Sequence, residues 1–121
     1  MAQPAGKVID RASGAVATVI DRGHLTSMTL GDRDLEREVL QLFDWQADLL
    51  LARMHSSAPQ AVAALAHTLR GSASSIGANK VASAAEALEQ AAGGAERVTT
   101  MQALARTIDE ARAEIAVLLR D

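Results

Sequence analysis

Three histidines and no cysteine bound the side-chain chemistry open to this 121-residue chain. His24, His55 and His67 include no pair three or four residues apart, so the spacing with which a helix holds zinc is missing and no metal site is expected. The absence of thiols excludes disulfides and fits a reducing compartment. The serines of "GSASSIG" form no nucleophile elbow, because Ser75 stands where the second glycine belongs. Nor is this a phosphate-cradling loop, since no Lys-Ser/Thr follows the glycine. Nothing resembles an ATP-binding module, so the chain is not expected to phosphorylate itself. What remains is His67, one turn ahead of Gly71 in "AHTLRGSASSIGA". An imidazole is a nucleophile near neutral pH. A glycine within a helix costs about 1 kcal/mol relative to alanine, so a bare position beside the ring calls for an explanation.

The elements that position this ring must be helical. Apolar residues make up 49% of the chain but aromatics only 2%, which leaves Leu, Ala, Val, Ile and Met to build the core. That composition suits helices packed on helices better than strands. A net charge of −3 with no Lys/Arg run leaves no footprint for nucleic acid. No apolar run approaches the roughly 18 residues of a membrane span, and the N-terminus has no signal-peptide pattern. A cytoplasmic protein without membrane attachment is the expectation. Residues 1–20 are small, Gly- and Ala-rich and without period, and read as a mobile or weakly ordered arm. Residues 21–121 read as one folded unit, of a length that supports a single core.

Helical periodicity divides that unit. "VIDRGHLTSMTLGD" predicts one or two turns closed at Gly31. Leu35, Val39, Leu42, Phe43, Leu49 and Leu50 keep helical spacing over residues 34–54, with Asp32 or Asp34 as the cap. Pro59 suits the first turn of a second long helix, which ends at Gly77 as a left-handed cap. Val81, Ala85, Leu88 and Ala92 mark a third helix, ended by "AAGGA". Thr99 and Gln102 have the spacing of a capping box and would open the last helix, carrying Met101, Leu104, Ile108, Ile115 and Leu119. The expected fold is all-α: an antiparallel, up-down-up-down four-helix bundle preceded by a short helical segment.

At about 100° per residue, Val62, Leu65, Leu69, Ala73 and Ile76 share one arc of the second long helix. His67 lies about 160° from the centre of that arc and so faces outward. Its neighbours three, four and seven residues away are Ala63, Ala64, Arg70, Gly71 and Ser74. The imidazole therefore stands on a nearly bare surface with one guanidinium beside it.

The order His67, Leu69, Arg70, Gly71, Ser72 and then Gly77 resembles the signature of histidine phosphotransfer (HPt) domains, and "VASAAEALE" resembles the helix that follows it. The resemblance implies that His67 is a phosphoacceptor, Arg70 its phosphate companion, and Gly71 the small residue that admits a partner's active site. It also implies that Glu89 orients His67 by accepting from Nδ1–H, leaving Nε2 as the nucleophile. Helical geometry puts Glu89 about 70° from the centre of the Val81/Leu88 stripe, at the rim between two helices. Two departures stand out: Arg70 where the family usually has Lys, which turns a point charge into a fork, and Ala73 in place of a common serine.

The function so implied is a monomeric phosphorelay carrier, taking a phosphoryl group from the receiver domain of a hybrid sensor kinase and passing it to that of a response regulator. No cofactor is expected in the chain itself; Mg²⁺ would come with the receiver. The alternatives are a helical adaptor that binds a receiver without transfer, and the phosphoacceptor domain of a chemotaxis-type kinase, against which the lack of a following kinase domain speaks. Trp45 projects away from Leu35; it marks either a docking surface or a ring lying over the arm.

Overall fold

The computed structural model describes residues 19–120 and contains five helices. These are α1 (Arg22–Met28), α2 (Arg33–His55), α3 (Pro59–Ser75), α4 (Asn79–Ala91) and α5 (Arg97–Arg120). Short loops join α2 to α5, and each long helix packs on the next, with α2 closing the ring against α5. This is the expected up-down-up-down bundle.

Local signals set most boundaries. The Asp32 side chain accepts from Leu35 N–H and caps α2, satisfying a backbone donor that the helix cannot. Asp34 and Glu36 in its first turn, with Arg53 and His55 in its last, complement the helix dipole. Pro59 opens α3. At its end Ala78 N–H donates to Ala73 O at 2.8 Å and Gly77 N–H to Ser74 O at 3.2 Å, with Gly77 at φ 80°. That is a Schellman cap, and it requires the left-handed residue that the sequence placed there.

The core is made of small and branched aliphatics: Leu40, Phe43, Ala47, Leu50, Val62, Ala66, Leu69, Val81, Ala85, Leu88, Leu104, Ile108 and Ile115 are all buried. On α2 the buried face is narrower than the apolar arc in the sequence. Leu35, Leu42 and Leu49 are exposed and Val39 is half-buried, while Leu40 and Ala47 lie inside. On α3, Ala66 takes the buried place and Leu65 stays at the edge. Each run of apolar residues wraps further around its helix than its two neighbours can cover.

The expected capping box on α5 does not form. Helix begins at Arg97, so Thr99 is already inside it and cannot adopt the extended backbone of a cap. The turn closes earlier, through Gly94 N–H to Ala91 O at 2.9 Å and Arg97 N–H to Gly94 O at 3.3 Å. Between α2 and α5, Arg112 Nε donates to Asp44 at 2.7 Å and Nη1 to Asp48 at 3.2 Å. The hydrogen bond to Asp44 outweighs partial burial and raises the Arg112 guanidinium above its ordinary range.

The chain before α2 is fastened to the end of α3. Asp21 N–H donates to Gly77 O at 2.8 Å, and His24 Nε2 lies 3.1 Å from Ser75 O, an acceptor, so that nitrogen carries the proton. Ile20 and Leu25 are buried below. Val19 and Ile20, placed by the sequence at the end of the arm, donate their N–H groups to the two carboxylate oxygens of Glu114 at 3.0 and 3.1 Å. The rest of the expected arm, residues 1–18, lies outside the described residues.

Candidate functional site

The middle of α3 carries His67, whose side chain is 60% exposed, as its angle from the buried arc requires. Buried Ala66 and Leu69 on either side fix the helix against the core and thereby turn His67 outward toward α4. Buried Ala73 and Ala85 keep the α3–α4 contact built from small side chains, which allows close approach of the two backbones. Glu89 sits at the rim of that contact, 31% exposed, next to fully buried Leu88.

The distance from His67 Nδ1 to Glu89 Oε2 is 3.0 Å. A carboxylate only accepts, so Nδ1 carries the proton and Nε2 keeps its lone pair. Among the described residues no group engages Nε2. The sequence-expected pair is thus brought together in the orientation that frees Nε2.

Arg70 is also at the ring, but on the Nδ1 side. Its Nη2 lies 3.1 Å from Nδ1, and its Nε lies 3.8 Å from Glu89 Oε1. Nδ1 cannot donate to Glu89 and accept from Arg70 at once. The bond to the charged carboxylate is the stronger of the two, so Nδ1–H faces Glu89 and the guanidinium pairs with the same carboxylate. Sequence reasoning placed Arg70 beside the ring and missed this reach to Glu89. The only signal for it was that Arg, unlike Lys, has several donors along a fork.

Gly71 borders the ring on its outward side. A Cβ built there meets nothing within 4 Å, so neither close packing nor backbone conformation demands glycine. The hydroxyls on this ridge turn back onto their own helix, Thr68 Oγ1 to Ala64 O at 3.2 Å and Ser75 Oγ to Gly71 O at 3.0 Å. The other two histidines are elsewhere: His24 at the end of α3, and His55 beside Arg97 and Met101 at the other end of the bundle. Among the described residues no cluster of three His, Cys, Asp or Glu side chains is placed to hold a metal ion, and no helix is long and apolar enough to cross a membrane.

The family model of the Hpt domain matches residues 33–120, from the start of α2 to the end of α5. The chain belongs to the Hpt domain family. As an Hpt domain it is a histidine phosphotransfer carrier of phosphorelays, and its kind of partner is the receiver domain. The fold of this Hpt domain is similar to the crystal structure of histidine-containing phosphotransfer protein B from Pseudomonas aeruginosa PAO1, with a TM-score of 0.80 at 21% identity over 86% of this chain and 96% of the other. A search of curated proteins finds no match to the sequence. The strap formed by residues 19–32 precedes the region matched by the family model.

Proposed function

We propose that His67 is the phosphoacceptor of this Hpt domain, with Nε2 as the nucleophile. The observation that carries this reading is the 3.0 Å contact between Nδ1 and Glu89 on an exposed ring, which fixes the tautomer that leaves Nε2 its lone pair. Attack forms the Nε2–P bond as the P–O bond to the receiver's aspartate breaks, and the electron pair returns to that carboxylate. The phosphorylated ring keeps its Nδ1 proton and carries positive charge, which faces Glu89. Return to a second aspartate reverses these changes.

Gly71 leaves the room into which a receiver's loops close, and Arg70, on the Nδ1 side of the ring before transfer, is the cation to which the phosphoryl oxygens turn once the group is on Nε2. Mg²⁺ is brought by the receiver, where it neutralises charge on the transferred group. The donor is the receiver of a hybrid sensor kinase and the acceptor that of a response regulator. The carrier acts as a cytoplasmic monomer without autokinase activity and without nucleic-acid binding.

The test is phosphoryl uptake from a labelled receiver by the parent and by His67→Gln. The variant folds, because the side chain lies outside the core, and takes no label; the parent's label is acid-labile and base-stable. Undiminished labelling of the variant would move the acceptor to His24 or His55. A chain that binds the receiver and never takes label would be an adaptor.

A further inference from the structure

The Arg70 guanidinium does not stand over Nε2, where a phosphoryl group would arrive; it sits against Nδ1 and the carboxylate of Glu89. We infer that Arg70 is a positioning residue that acts through Glu89, taking up the carboxylate's charge so that Nδ1–H is held without a proton being drawn onto Nε2. This rests on the reading of His67 as the phosphoacceptor.

The physical problem is one that a glutamate creates and an amide would not. A carboxylate bonded to Nδ1–H orients the ring, but it also stabilises the doubly protonated imidazolium, in which Nε2 has no lone pair to attack with. An orienting group that is too negative therefore protects the wrong state. Arg70 counters this in two ways. It competes for the carboxylate through its Nε, 3.8 Å from Oε1, and its positive charge beside Nδ1 disfavours a second cation on the ring. Together Glu89 and Arg70 act as a nearly neutral acceptor, orienting like an amide.

Among the described residues no other charge does this work. Arg70 and His67 are the only ionisable side chains on α3. On α4, Glu86 and Lys80 form no ion pair with either member of the site, and Glu86 stands one turn before Glu89. On α2, Asp44 and Asp48 are turned to Arg112 of α5. On α5, which packs on α4, neither Arg97 nor Arg106 pairs with Glu89.

Once the phosphoryl group is on Nε2, the balance changes sign. The ring is then cationic with its Nδ1 proton in place, and full carboxylate charge on Glu89 stabilises it. The phosphoryl oxygens compete for the guanidinium, and its transfer to them releases Glu89 to the ring. One side chain thus restrains Glu89 before transfer and frees it afterwards.

The test is an NMR titration of the His67 ring in the unphosphorylated full chain, for the parent, Arg70→Gln, Glu89→Gln and the double variant. Arg70→Gln should move the midpoint of ring protonation upward, because the cation beside Nδ1 and Glu89 is gone. The same change in the Glu89→Gln background should move it by less than half as far. The acid limb of the transfer rate should follow the midpoint in each case, and Arg70→Lys should restore part of the parent value. Equal shifts in both backgrounds would mean that Arg70 acts on the ring alone and not through Glu89, and no shift would mean that it does not act at all; either overturns the inference. The titration needs no phosphoryl donor, so relocation of the acceptor by labelling would be read separately.

Discussion

A Cβ on Gly77 would lie 2.7 Å from the carbonyl oxygen of Asp21, whose own N–H donates to the Gly77 carbonyl at 2.8 Å. Gly77 thus meets two demands, the left-handed backbone that ends α3 and the approach of the strap that crosses it. Gly77→Ala strains both, since left-handed backbone alone costs an L-residue about 1–2 kcal/mol. The variant should lose about 2–3 kcal/mol of stability, read as the shift in denaturation midpoint. A loss below 0.5 kcal/mol, on the order of a neutral surface change, would show that the strap moves aside freely.

Leu30 occupies the matching position after α1, at φ 55°, with its side chain 92% exposed. Gly31 N–H donates to Thr26 O and Leu30 N–H to Ser27 O, the same pair of bonds that closes α3. Leucine gains nothing from packing here and bears the left-handed strain. Leu30→Gly should raise stability by about 0.5–1 kcal/mol, the relieved strain exceeding the added freedom of the unfolded chain. A drop in thermal midpoint would refute the strain assignment.

Gly71 gives the opposite sign of argument. Open space surrounds its missing Cβ, and a better helix former should stabilise α3. Gly71→Gln is expected to gain about 0.5–1 kcal/mol while lowering both receiver affinity and transfer rate. Loss of stability, or a more stable variant with full activity, would each remove the access argument.

Glu89→Ala removes the tautomer holder and leaves the docking surface intact. It should slow transfer from a phosphorylated receiver while receiver affinity stays at the parent level. Its effect on stability should stay within about 0.5 kcal/mol, as for a surface substitution. Parent-like transfer in Glu89→Ala and in Arg70→Ala together would show that neither prepares the ring.

Much of this site could be read from residue spacing. The outward direction of His67 follows from an arc defined by Val62, Leu65, Leu69, Ala73 and Ile76, all of them buried except half-buried Leu65. Glu89 at the helix rim follows from the Val81 and Leu88 stripe in the same way. The Gly77 cap followed from one glycine after an apolar helix. What spacing could not show depends on partners remote in sequence. The approach of Asp21 to Gly77 and the hold of Glu114 on Val19 and Ile20 exist only once the bundle is closed. Core alanines were equally hidden: in an alanine-rich chain Ala66 and Ala64 look alike, and only helix packing makes one buried and the other exposed. The start of α5 was misplaced because a Thr-x-x-Gln spacing is cheap to find by chance, and the backbone bonds of the preceding turn decided the matter.

His67 stands alone on one outward ridge of α3, with no second histidine near it among the described residues. A ridge of that kind admits one receiver at a time. Donor and acceptor must therefore alternate on the same face, and the carrier must depart from one before it meets the other. Steady-state transfer should show the parallel double-reciprocal lines of a ping-pong scheme, with surplus unphosphorylated donor slowing delivery by occupying the face unproductively. The relative abundance of the two receivers, as well as their affinities, would then set how fast a signal passes through this molecule.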